Sequence, residues 1–371
     1  MKRLLRLAGP EQLKSIDKIA GRVAIHLLPP PKHRETTRDI NSILLIRPGG
    51  IGDAVLLAPT ILALTRYFPS AKIHVLAERR NCGIFELIPG IDKTFLYDTP
   101  SGLFESLRAR YDLVIDTEQW HRLSALIARL TNAPIIIGFD TNDRRRMFTD
   151  LLPYCHDDYE ADSFLHLLSP LFSVQKFDIN PPFLFPPPKT FQTAAELLAP
   201  LKNYPIVTIF PGASINERKW GSERFAEVLN GLESRGIRGV IVGSNEDVEH
   251  GEAIITGTRS INLAGKTSLA VTAAIISSTR LLLSGDSGVL HIGVGVGAST
   301  VSLFGPGIVS KWAPRGDRHT VLNMNLDCSP CTRFGTTPRC KRGVPCLSSI
   351  EVEMVIESVM KHLPTSNEKN I

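Results

Sequence analysis

Two parallel-sheet α/β domains facing one another are predicted for this chain by its length, its rhythm and a pair of strand-to-glycine junctions. Its 371 residues exceed what one hydrophobic core normally organises. Short apolar runs alternate with amphipathic stretches along both halves, the pattern of buried parallel strands covered by helices. Twice, such a run stops at a glycine-rich turn where a helix can open. Ile43-Leu44-Leu45-Ile46 leads into Arg47-Pro48-Gly49-Gly50-Ile51-Gly52-Asp53, and Ile206-Val207-Thr208-Ile209 into Phe210-Pro211-Gly212-Ala213-Ser214. Open parallel sheets bind ligands at such strand ends.

Residues 1–38 read as a basic leader. Leu13, Ile16, Ile19, Ala20 and Val23 recur at helical spacing, with Lys14, Lys18 and Arg22 between them, until Pro29-Pro30-Pro31 stops the pattern. Such a helix either packs on the body or acts as a peripheral foot on an anionic membrane. Residues 39–180 form the first domain, with strands over 43–46, 72–76, 94–97, 113–116 and 135–137 and helices over 53–67 and 123–130. The proline-rich stretch 181–190 reads as a stiff linker. Residues 191–348 repeat the architecture: strands over 206–210, 239–242, 281–283 and 301–304, and helices over 191–198, 222–234 and 269–277. The amphipathic segment 349–360, within a tail of residues 349–371, reads as a helix able to return and brace the first domain, which sequence alone does not show.

Composition narrows the function. The chain is 43% hydrophobic and 21% charged, as in an ordinary folded protein. No stretch reaches the ~20 unbroken apolar residues of a membrane span. Lysine and arginine number 42 against 37 acidic residues, a net charge of +5. That excess lies in the leader, so the remainder is close to neutral and a nucleic-acid surface is disfavoured. The leader lacks a secretory cleavage pattern. We expect a cytoplasmic chain, with peripheral contact on the cytoplasmic face of an anionic inner membrane.

At the first junction Gly50 and Gly52 allow close backbone approach to a ligand. The pattern is neither a dinucleotide fingerprint nor a phosphate-loop lysine motif. Asp53 either caps the helix or serves as a general base for an incoming hydroxyl. Arg47 either holds an anionic acceptor or orients Asp53. After the second junction, Ser214 and Lys219 suit a diphosphate, donating a hydroxyl and a mobile positive charge; a surface lysine beside a core Trp220 is the plain alternative. In Leu281-Leu282-Leu283-Ser284-Gly285-Asp286-Ser287-Gly288-Val289-Leu290-His291 a strand runs into a polar turn. Ser287 and Gly288 form a nest for phosphate, Asp286 accepts from sugar hydroxyls or caps the helix, and His291 is a further donor or a structural histidine. Glu246 is placed to accept from a ribose diol, with Asp247 and Glu249 as rivals.

Cys82 and Cys155 stand alone, whereas Cys328, Cys331, Cys340 and Cys346 follow at intervals of 3, 9 and 6 residues. Three readings stay open: a structural zinc or iron–sulfur site, free structural thiols, or disulfides.

Taken together, Ile43 to Tyr67 with Gly52-Asp53, Phe210 to Phe225 with Lys219-Trp220, Asp286 to His291 and Phe304-Gly305-Pro306 resemble the bacterial ADP-heptose:lipopolysaccharide heptosyltransferases of glycosyltransferase family 9. The resemblance spans roughly residues 42–350. It implies a GT-B fold, two Rossmann-like domains facing a central cleft, and inverting transfer of heptose from ADP-heptose to a lipopolysaccharide core or related glycolipid, with no cofactor required for catalysis. By resemblance Asp53 is the base, Ser214 and Lys219 bind the donor diphosphate, Asp286 contacts the sugar, and Ser287, Gly288 and His291 line the donor-phosphate side. Ser287 stands where relatives often carry threonine, and the Ser214 region departs from their two-threonine form. A nucleotide-sugar epimerase of the same fold and a non-catalytic sugar-nucleotide receptor are the rivals.

Overall fold

The computed structural model describes residues 17, 21–31, 39–172, 180–333 and 335–363. Most of the leader therefore lies outside the described residues. The chain divides into two compact units, Met1–Ile179 and Asn180–Ile371.

In the first unit a short helix, α1 (Arg22–Leu27), precedes β1 (Ser42–Arg47), α2 (Ile51–Leu56), α3 (Ala58–Tyr67), β2 (Lys72–Ala77), β3 (Lys93–Leu96), α4 (Pro100–Arg108), β4 (Leu113–Asp116), α5 (Arg122–Leu130), β5 (Ile135–Phe139), β6 (Asp150–Leu152) and α6 (Glu160–His166). The strands form one sheet in the order β3-β2-β1-β4-β5-β6, all pairs parallel. Ile43, Leu44, Leu45 and Ile46 are fully buried, as expected of a central strand covered on both faces. The expected helix over 53–67 is two helices. The break falls at Leu57, just before Pro59, whose missing N–H and fixed φ suit the opening turn of α3.

The second unit runs through α7 (Pro188–Leu198), β7 (Ile206–Phe210), α8 (Ser222–Glu233), β8 (Arg238–Ile241), α9 (Val248–Ile255), β9 (Ile261–Asn262), α10 (Leu269–Ser278), β10 (Leu281–Gly285), α11 (Gly288–Gly295), β11 (Thr300–Phe304), α12 (Val309–Trp312), β12 (His319–Asn323), α13 (Pro345–Ser348) and α14 (Val352–Lys361). Its strands form a second parallel sheet ordered β12-β11-β10-β7-β8-β9. In both sheets the order reverses beside the first strand, between β1 and β4 and between β7 and β10. These are the switch points at which neighbouring loops part and leave room for a ligand.

Residues 181–190, read as a stiff linker, pack onto the second unit. Phe183 and Leu184 are buried, both of their backbone N–H groups donate to Gly295 O, and α7 opens at Pro188. The C-terminal helix α14 packs within the second unit: Val355, Ile356 and Val359 join Val228, Leu229 and Leu232 of α8 in its core. Its amphipathic pattern specifies a buried face but not which partner covers it.

Candidate active site

The first switch point is built around a buried arginine. Pro48 and Gly49 turn the chain out of β1, Gly49 at φ 110°, a conformation that strains any residue with a Cβ. Gly50 is the N-cap of α2, and Gly52 and Asp53 lie in its first turn. The Asp53 side chain is 30% exposed, with Oδ2 3.9 Å from Nη2 of Arg47. Arg47 itself is 1% exposed. Its Nε donates to Pro48 O at 2.7 Å, Nη1 to Thr117 O at 2.9 Å and Nη2 to Glu118 Oε2 at 3.0 Å. The guanidinium is thus held inside the fold by three hydrogen bonds and lies beside Asp53.

Glu118 lies beyond the end of β4, and Ile46 pairs with Asp116 in the register that brings it beside Arg47. Its Oε1 accepts from the backbone N–H groups of Gln119, Trp120 and His121. Burial works to raise its carboxyl, but Arg47, then His121 and Arg144, outweigh burial and hold it below the ordinary range. Conversely, burial works against the Arg47 charge, and Glu118, Asp53, Glu160 and Asp116 restore it and raise its pKa. A second buried carboxylate, Glu160, accepts from Tyr154 Oη at 3.0 Å and from Gln119 Nε2. Burial, then Glu160, pushes the Tyr154 phenol well above its ordinary value. Glu118 and Glu160 are therefore engaged by these partners, and the Asp53 side chain is part-exposed.

At the second switch point the loop after β7 holds a short 3₁₀ turn, Asn216–Arg218, which directs adjacent cations differently. Ser214 and Lys219 are exposed. Arg218 turns inward: its side chain is 14% exposed and Nη1 lies 3.0 Å from Asp286 Oδ2. Its guanidinium carbon stands 5.9 Å from the centre of the Trp312 ring. Although close, this ion pair is poorly aligned, and among the described residues Arg218 Nε and Asp286 Oδ2 lack a hydrogen-bond partner. Trp220 closes the core instead, donating Nε1–H to Ile350 O at 3.2 Å and meeting Phe225 edge-on.

Asp286 is only 4% exposed, and its Oδ2 faces Arg218 rather than open solvent. A Cβ at Gly307 would fall 2.1 Å from that oxygen, so glycine is required there for the carboxylate to fit. Ser287, rather than Asp286, caps α11, accepting from Leu290 N–H at 3.2 Å while its Oγ lies 2.9 Å from Ser284 Oγ. Gly288 is the first residue of that helix. His291 is buried on it, and burial lowers its pKa to about 4 against the opposing pull of Asp286. The imidazole is neutral at physiological pH.

Glu246 is exposed on the turn after β8. Its rival Asp247 is buried, where it accepts from both the backbone N–H and the hydroxyl of Ser244. All six cysteines are free thiols. Cys331 and Cys346 are raised first by burial and then by the neighbouring cysteines, yet no group of three or more His, Cys, Asp or Glu side chains is arranged to hold a metal among the described residues.

Sequence reasoning missed Glu118, Glu160, Tyr154 and Arg218. The acidic end of β4, Asp116-Thr117-Glu118, is a signal available for the first. Arg218 is visible only as one of two adjacent cations.

A family profile described as glycosyltransferase family 9 (heptosyltransferase) matches residues 101–341. The chain is similar to lipopolysaccharide heptosyltransferase 3 of Escherichia coli, 27% identical over 338 residues that cover 85% of this chain and 97% of that one. A solved family 9 glycosyltransferase from Veillonella parvula superposes with a TM-score of 0.74 at 21% identity, covering 88% of this chain and 98% of its own. The E. coli ADP-heptose lps heptosyltransferase II gives 0.70 at 19%, with 86% and 98% covered. These likenesses identify the two-sheet architecture as the GT-B fold.

Proposed function

The chain belongs to glycosyltransferase family 9, the heptosyltransferases, and from that premise we propose that it transfers heptose from ADP-heptose to a lipopolysaccharide core or related glycolipid. The observation that carries the reading is the pairing of Asp53 with Arg47. A part-exposed carboxylate stands at the first switch point beside a buried cation fixed by three hydrogen bonds, and it is suited to receive a proton from a positioned hydroxyl.

In the proposed step the acceptor hydroxyl oxygen forms a bond to the anomeric carbon as Asp53 takes its proton. The bond from that carbon to the diphosphate oxygen breaks, and ADP leaves with the electron pair. One displacement inverts the anomeric centre. The leaving charge calls for fixed donors. Arg218, held by Asp286, is the inward-facing cation for this role, and exposed Lys219 and Ser214 on the same loop supplement it. This reassigns the principal diphosphate contact from Lys219 to its neighbour. Ser287, Gly288 and neutral His291 shape the turn beside Asp286, and Glu246 is assigned to the ribose diol. Reaction at the cytoplasmic face of the inner membrane fits a glycolipid acceptor; among the described residues no helix is long and apolar enough to cross a membrane.

The cysteine cluster is assigned a structural role, as a zinc or iron–sulfur site or as free thiols, and the displacement is proposed to use the side chains named above. Metal analysis of the purified chain tests that assignment. The transfer itself is tested by incubating the protein with ADP-heptose and a core-glycolipid acceptor and weighing the acceptor by mass spectrometry. Gain of one heptose supports the reading. Release of an isomerised sugar without acceptor would instead support an epimerase, and donor binding without turnover a receptor.

A further inference from the structure

The outward face of α1 is built the wrong way round for water. Ile25 is fully buried in the core cluster against which Leu123 and Ile127 of α5 also pack, so it fixes the helix's inner line. At 100° per residue, Val23 and Leu27 fall about 160° and 200° from Ile25, along the outermost line. They are 60% and 76% exposed. A surface helix normally carries its polar residues there.

The surroundings are cationic. Arg22 and His26 are exposed on one flank of the same helix. Arg146 Nη1, from the neighbouring Arg144–Met147 turn, lies 3.4 Å from His26 Nδ1, and Arg129 Nε donates to Pro29 O at 3.0 Å. Arg122, Arg144 and Arg145 are matched by Asp143, Asp116 and Asp140. Among the described residues, Arg22, Arg129 and Arg146 have no acidic partner. Two adjacent apolar side chains flanked by these arginines complement the boundary of an anionic bilayer, where apolar groups seat below a negatively charged surface.

We propose that α1 and the Arg144–Met147 turn form a bilayer-docking surface for anionic phospholipid, with Val23 and Leu27 entering the headgroup boundary and Arg22, Arg129 and Arg146 facing lipid phosphates. The proposal deepens the reading of a membrane-borne acceptor and rests on that reading for its purpose. Its chemistry can be tested separately.

The test is co-sedimentation of the full chain with vesicles of phosphatidylcholine, alone or mixed with phosphatidylglycerol. The native protein should prefer the mixed vesicles by at least about tenfold, less so as salt is added. Val23→Gln with Leu27→Gln should weaken binding to them by about tenfold, since both apolar groups leave the interface. Arg22→Glu with Arg146→Glu should weaken it at least as much. The changed side chains are exposed, and circular dichroism checks that the fold is kept. Equal binding to both vesicle types, no binding to either, or unaltered binding by both double variants would overturn the proposal. So would a change of oligomeric state in Val23→Gln/Leu27→Gln, which would mark the face as a contact between copies. A second readout separates this from the functional reading. Both double variants should retain transfer to a delipidated, water-soluble core acceptor. A native enzyme that uses that acceptor but ignores vesicles overturns the surface alone, whereas one that modifies no acceptor overturns the functional reading.

Discussion

Replacing Arg218 with alanine should weaken donor binding far more than replacing Lys219, although the two are adjacent and carry the same charge. Arg218 is mostly buried and 3.0 Å from Asp286, whereas Lys219 is exposed. Hydrogen bonds to a charged partner contribute about 1.5–3 kcal/mol, so loss of the Arg218 contact should raise the ADP dissociation constant roughly 10- to 150-fold. An exposed lysine contributes at most about 1 kcal/mol, or roughly fivefold. The same Arg218→Ala change leaves Asp286 as an unpaired buried carboxylate, costing about 3–5 kcal/mol of folding stability. The companion variant Arg218→Ala/Asp286→Asn separates these effects: neutralising the orphaned carboxylate should restore much of the stability but not the affinity. Titration calorimetry with ADP and urea unfolding measure the two quantities. A Lys219→Ala defect equal to or larger than that of Arg218→Ala would refute the reassignment.

Two further perturbations probe the first switch point and the buried histidine. Glu118→Gln should destabilise the fold by about 3–5 kcal/mol, because Arg47 loses its closest buried counterion; urea unfolding with less than about 0.5 kcal/mol of change would contradict this. For His291, the folded value of about 4 lies below the ordinary 6.5. The unfolded chain therefore takes up a proton first as pH falls from about 6.5 towards 4, and stability declines over that window at up to about 1.4 kcal/mol per unit. Above it the contribution is complete. His291→Gln should flatten this part of the stability profile, while a slope equal to the native one would show that other groups set it.

The central strands were legible because burial on both faces demands continuous apolar runs, and Ile43–Ile46 and Ile206–Ile209 supply them. Short edge strands carry much less pattern: β6 and β9 contain three and two residues, and all five residues of β12 are half-buried. At the site, Asp53 was readable because its setting is local to one turn. Glu118 was not, since it lies 71 residues from Arg47 and meets it only through the pairing of β1 with β4. Nor does a sequence say which of two neighbouring cations points inward. The 3₁₀ turn Asn216–Arg218 makes that choice for Arg218, and Asp286 holds it there.

Asp53→Asn tests the central assignment most directly, because the amide keeps the size of the side chain and removes its capacity as a base. Acceptor mass should be followed with ADP-heptose and core glycolipid, alongside calorimetric ADP binding. The predicted result is donor affinity within about twofold of native with turnover reduced at least about 100-fold. Transfer at the native rate by Asp53→Asn would contradict the account.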